Sequence, residues 1–236
     1  MMRWLIVILG SLKFSKVLLS GGTMLLSIFT YAWIFGWWYA VGFVLLIFVH
    51  EMGHFLAARQ RGLDVGLPTF IPFVGAWIQL KELPHDAETE AYIALAGPVL
   101  GTAGALVCYF ASFYYSSDLL LALSYAGFFI NLFNLIPLSP LDGGRITAIV
   151  SPKMWLLGVP ILAGLFVVNP SPFLLIVALL ALPHLFSLWN SRHNPDQPYY
   201  AATVKDRVVY SVWYLGLVIF LASMSYQVHS VLSLPQ

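Results

Sequence analysis

Charge is what this sequence has least of. Only 9% of its 236 residues are Asp, Glu, Lys or Arg, against roughly a quarter in soluble domains. Hydrophobic residues make up 60% and the mean hydropathy is +0.86. Such a composition excludes a water-soluble globule and predicts an all-α polytopic membrane protein whose surroundings are a lipid bilayer. The net charge of +1 leaves no basic face able to track a phosphate backbone, so no nucleic-acid partner is expected. The single cysteine, Cys108, rules out an intrachain disulfide, and packing in its apolar run accounts for it. No cleavable signal peptide is evident, because Lys13 and Lys16 interrupt the apolar N-terminal run. No Gly-x-Ser-x-Gly nucleophile turn is present. An aspartyl protease needs two embedded aspartates sharing a proton, and only Asp142 lies at depth.

Against this apolar background one stretch stands out. His50-Glu51-Met52-Gly53-His54 lies inside a long hydrophobic run, where ionisable side chains are expensive and mark a functional site by default. On a helix, residues four apart share a face, so His50 and His54 stand one above the other. Two imidazoles so placed grip one Zn2+ and leave Glu51 free as a base toward water.

The apolar runs predict six to seven transmembrane helices, at about 17–35, 39–59, 91–114, 119–135, 154–168, 173–189 and 208–228. Residues 1–16 read as an interfacial segment, too short and too charged to span. The stretch 65–81 is apolar but broken by Pro68, Pro72, Gly66 and Gly75. It predicts a re-entrant loop or short β-hairpin next to the zinc site, since irregular backbone at membrane depth must pack on protein or line a wet cavity. Within it Ala76, Trp77, Ile78, Gln79 and Leu80 form a candidate extended edge. The alternative is a surface loop anchored by a few aromatics. Tracing the spans alternately puts all 11 Lys and Arg on one side, which the positive-inside rule makes cytoplasmic. The whole chain reads as one membrane-embedded domain, with no room for an independent soluble one.

Catalytic zinc usually takes three protein ligands. No glutamate follows Glu90, so the candidates in apolar surroundings are Asp142 and His184. Asp142 is preferred: Pro137 and Pro140 bend the chain before it, and Gly143-Gly144 admit a close neighbour after it. The competing reading makes Asp142 the N-cap of a helix starting at Gly143. His184 follows Pro183 and reads more simply as a partner for a freed carbonyl. Asn131 and Asn134, polar groups in an apolar helix, need partners. Asn134 is nearer the proline break, where a donor would steady a developing oxyanion; Asn131 reads equally well as a tie to a neighbouring helix.

Taken together, His50-Glu51-Met52-Gly53-His54 and the run from Asn134 through Leu141-Asp142-Gly143-Gly144-Arg145 resemble the site-2 protease family of intramembrane zinc metalloproteases. The resemblance runs over about 24–150, expected to be the catalytic core, with 151–236 as additional C-terminal helices. It implies one Zn2+ per chain held by His50, His54 and Asp142, with Glu51 as base and Asn134 helping to hold substrate. Many relatives have an asparagine where Gly101 stands. The chain looks like a minimal member without PDZ or nucleotide-sensing domains, and an unidentified regulatory membrane partner is an open expectation. The implied substrate is a transmembrane protein, cleaved in or near its membrane segment, in the cell (inner) membrane with the site toward the cytoplasm. The rivals are a non-hydrolytic zinc-binding scaffold and a metal transporter. Transport would want exchangeable sites along a path, whereas the polar groups here gather at one place.

Overall fold

The computed structural model describes residues 2–73, 75–77, 84–189 and 198–233, with side chains from Leu18 onward. Among the described residues the chain forms α1 (Met2–Phe35), α2 (Trp37–Gln60), β1 (Thr69–Ile71), β2 (Gly75–Trp77), α3 (Ala87–Tyr115) and α4 (Asp118–Asn134). There follow α5 (Asp142–Ala148), α6 (Trp155–Val168), α7 (Pro172–Trp189) and α8 (Val204–Leu232), with 3-10 turns at Pro152–Met154 and Pro198–Tyr200. Among the described residues four helices are long and apolar enough to cross a membrane: α1 (through Leu18–Phe35), α2, α3 and α8. The other runs read as spans form shorter apolar helices, Asp118–Asn134, Pro152–Val168 and Pro172–Leu188. Large apolar side chains such as Trp33, Val167, Leu179 and Ile219 point outward, as befits helices solvated by lipid. This is an integral membrane protein.

Local chemistry sets the boundaries around the site. Gly36, at φ 85°, reverses the chain between α1 and α2, a backbone conformation that favours glycine. At its other end α2 closes in a Schellman motif: Gly62 N–H donates to Arg59 O (3.0 Å) and Leu63 N–H to Ala58 O (3.0 Å). Leu63 then packs with Ala57, Ala58, Val65 and Ile93. Asp86 caps α3 by accepting from Thr89 N–H at 2.7 Å. The uninterrupted α1 runs past Lys13 and Lys16.

The Pro/Gly-broken stretch does form a hairpin. β1 and β2 pair antiparallel with Thr69 opposite Trp77, Phe70 opposite Ala76 and Ile71 opposite Gly75. Phe70 and Ala76 pack with Ile28, Tyr31, Ala40 and Val44 of α1 and α2. The outer edge of β1 is taken by α1, where Phe70 N–H donates to Thr23 Oγ1 at 3.2 Å. Because Phe70 turns its N–H away from β2, its opposite residue Ala76 turns its own backbone groups outward too. Among the described residues the open edge of this two-stranded sheet is therefore β2. Ile78, Gln79 and Leu80 lie outside the described residues.

Candidate metal centre

Three elements bring the centre together. α2 carries His50, Glu51 and His54. α4 ends at Asn134 because Pro137 follows, and the residue before a proline resists helical backbone. Residues 135–141 descend as successive turns that satisfy their own backbone groups, with Leu135 N–H on Leu132 O (3.1 Å) and Leu141 N–H on Leu138 O (2.9 Å). Tyr214 of α8 donates its hydroxyl to Leu135 O at 2.6 Å, so this irregular backbone is held by protein at depth. α5 then opens at Asp142, with Leu141 rather than Asp142 at the N-cap position. A Cβ on Gly143 would run into the backbone of Leu135 and Ile136, and one on Gly144 into that of Leu138 and Ser139. Those two glycines press α5 against the turns and fix where Asp142 projects.

The result is a cluster of buried His50 and Asp142 with partly buried His54, whose candidate ligand atoms all lie within 4.8 Å of one another. His50 Nδ1–H donates to Asn131 Oδ1 at 2.8 Å, and His54 Nδ1–H donates to Ile93 O at 2.8 Å. Each imidazole therefore turns an Nε2 lone pair inward. The two Nε2 atoms are 3.1 Å apart, and Asp142 Oδ2 lies 3.1 Å from His50 Nε2 and 3.3 Å from His54 Nε2. Three acceptors facing one another repel unless a cation stands between them. A tetrahedral zinc ion with bonds of about 2.0–2.1 Å spaces its ligand atoms about 3.3 Å apart, close to what is observed. Two neutral imidazoles and one carboxylate are also zinc's preferred donors. The cluster fits the ion.

Glu51 is 8% exposed and lies beside the cluster, in the wall of a cavity of about 680 Å3. Asn134, Ala76 and Arg145 line the same cavity, as do Tyr39 of α2 and Asn169 and Ser171 between α6 and α7. From Tyr39 to His54 the cavity follows α2 for about 22 Å at 1.5 Å per residue. His184 sits elsewhere, its ring edge-on to Trp155 at 5.8 Å between centroids. Of the predicted site residues, the structure brings together His50, Glu51, His54, Asp142, Asn134 and Ala76.

A polar layer lies where the end of α2 meets the start of α3. Arg61 Nη2 donates to Glu88 Oε1 at 2.8 Å, tying the end of α2 to the start of α3. Tyr210 donates to Glu88 Oε1 (2.6 Å) and Tyr199 to Glu90 Oε2 (2.6 Å). Burial first, and the Glu90 charge second, push the Tyr199 and Tyr200 phenols up, Tyr200 to about 12. The seven residues from His54 to Arg61 place the cluster about 10 Å inside this layer.

Sequence reasoning left Asn131 without a specific task; in the structure it holds His50. The available signal was its polarity in an apolar helix, and the missing information was how α4 is rotated against α2.

A His-His-Asp cluster built from a His-Glu-x-x-His helix and the start of α5 makes a candidate metal centre in a membrane protein. Residues 38–126 match the model of peptidase family M50, and the chain's resemblance to that family of site-2 proteases is thereby shown. A zinc metalloprotease from Methanocaldococcus jannaschii is 32% identical over 124 residues, covering 49% of this chain and 36% of that protein. A probable chloroplastic zinc metalloprotease from Arabidopsis thaliana is 39% identical over 69 residues, covering 27% of this chain and 13% of the relative. The matches thus span little more than a third of these curated relatives at most. Among solved structures, a site-2 protease from Methanocaldococcus jannaschii aligns at TM-score 0.45 and 24% identity, over 82% of this chain and 84% of that one.

Proposed function

We propose that this chain is a zinc-dependent intramembrane endopeptidase that hydrolyses a peptide bond in or near a transmembrane segment of a membrane-protein substrate, as in regulated intramembrane proteolysis. The observation that carries this reading is the convergence of His50, His54 and Asp142 beside Glu51, in a cavity that follows the spanning helix. His50 Nε2, His54 Nε2 and Asp142 Oδ2 would hold one Zn2+. Bound there, zinc supplies Lewis acidity that polarises a scissile carbonyl and acidifies water. Glu51 accepts the proton of the attacking water and passes it to the leaving amine. The Asn134 amide, in the same cavity wall, donates toward the carbonyl oxygen as negative charge develops there.

A helical substrate hides its carbonyls in its own hydrogen bonds, so it must be drawn out before attack. The open β2 edge supports recognition of an extended strand, with the Ala76 backbone facing outward from the sheet. Ala76→Pro removes one outward N–H without breaking a β1–β2 bond. Cleavage of a model transmembrane substrate is expected to slow about threefold to tenfold, the worth of one backbone hydrogen bond, with zinc per chain unchanged. A rate equal to wild type would remove strand addition from the mechanism.

The same reading counts α4, α6 and α7 as crossings, giving seven in all, and treats the hairpin as re-entrant. It places residues 1–16 at the interface, the catalytic core in 24–150, and the cluster on the cytoplasmic side of the cell (inner) membrane. Its support is the one-sided distribution of the 11 Lys and Arg. Control by a separate membrane partner belongs to this proposal as well.

Metal removal tests the function directly. In detergent or reconstituted vesicles, a zinc chelator is expected to abolish cleavage of a transmembrane substrate, and one equivalent of Zn2+ to restore it. Cleavage that persists after complete removal of zinc would overturn the assignment.

A further inference from the structure

We propose that Asn131 is the positioning residue that fixes the tautomer and ring orientation of His50, and that Gly101 is the recess that admits it. This rests on the zinc reading above. Asn131 is only 1% exposed, and its amide has no freedom to turn over. Its Nδ2–H donates to Gly127 O at 2.7 Å, one turn back on α4. That bond leaves only Oδ1 to face His50, and an acceptor there demands the proton on Nδ1. A reversed amide would set Oδ1 against the Gly127 carbonyl and N–H against N–H at His50.

α3 makes room for this arrangement. A Cβ on Gly101 would run into Oδ1, Nδ2 and Cγ of Asn131, so any side chain at 101 evicts the amide. One turn earlier, a Cβ on Gly97 would run into the His54 ring. Two glycines four residues apart on α3 therefore make room, one for the His54 ring and the other for the support of His50. His54 takes its outer hydrogen bond from α3 itself, through Ile93 O. His50 takes its partner from α4, through an amide that sits against Gly101 of α3.

The test uses the full chain in detergent, with zinc affinity read by competition against a chromophoric chelator and unfolding of the metal-free chain read alongside. Asn131→Leu keeps the branched shape, at somewhat larger volume, and removes the acceptor. It is expected to weaken zinc binding by roughly 10–100-fold, the usual effect of losing an outer-shell partner of a ligating histidine. Asn131→Ala should lose a comparable amount. Adding Gly101→Asn to Asn131→Ala sends an amide from α3 into the vacated space and is expected to regain about tenfold of that loss. Simple loss of packing would lower the unfolding midpoint and would not be repaired by an amide on a different helix. Zinc affinity within about twofold of wild type in Asn131→Leu overturns the proposal, as does a double variant no tighter than Asn131→Ala. A wild-type chain that takes up no zinc overturns the zinc reading itself, and that measurement comes first.

Discussion

Glu51→Gln is expected to leave zinc bound while slowing peptide hydrolysis by roughly a thousandfold, within the range that general-base catalysis contributes. Glutamine has the shape of glutamate, so the cavity wall keeps its packing around a side chain that is 8% exposed. Glu51 is not one of the three clustered ligands, which is why zinc should stay. What disappears is the carboxylate that, in the proposed mechanism, receives the proton from water and returns it to the leaving amine. Zinc per chain and the cleavage rate of a transmembrane substrate, measured on one preparation, separate the two effects. A variant that keeps its zinc and also cleaves at the wild-type rate would take the base role away from Glu51. Bound substrate should accumulate on the inactive variant.

Asp142→Ala is expected to cost more in zinc affinity than the roughly 10–100-fold of an outer-shell change, because it removes one of three direct donors. Two histidines held by Asn131 Oδ1 and Ile93 O remain in place, and they grip the ion without a counter-charge. Thermal unfolding gives a second readout: added zinc should raise the wild-type midpoint through its preference for the folded chain, and should scarcely move that of the variant. Full zinc occupancy in Asp142→Ala would place the third ligand on another residue.

Much of this centre is legible in the sequence because its strongest signals are local. The spacing of His50 and His54 needs only a helix to become geometry. Asp142 is marked by the prolines before it and the glycines after it, and residues 65–81 announce broken backbone through Pro68, Pro72 and Gly75. The Asn131 contact is a different kind of fact. It depends on the rotation of α4 about its own axis, set by side chains such as Phe128 against Ala105 and Leu221, and no local pattern reports it. The role of His184 is hidden in the same way, since only tertiary structure brings Trp155 to it. Span number is less legible than the centre: apolar composition marks α4, α6 and α7 as strongly as α2, while their helices are shorter and end at prolines and caps.

The seam between α2 and α3 has a mechanical consequence. Gly53 lies against the Ala96 carbonyl and Gly97 under the His54 ring, so backbone meets backbone where side chains would normally cushion the contact. A slide of α2 along α3 by one residue, about 1.5 Å, would collide at both glycines and pull His54 from Ile93 O. These two helices must behave as one rigid block. α6 and α7 lie outside that block: α6 packs on Pro137 and Leu138 through Gly158 and on α5, and α7 meets Phe133 of α4 through Phe173; α1 with the hairpin flanks the block on α2's side. Motion that admits a bulky substrate is therefore expected in those flanking pieces rather than between α2 and α3, the pair that fixes the His54 ring.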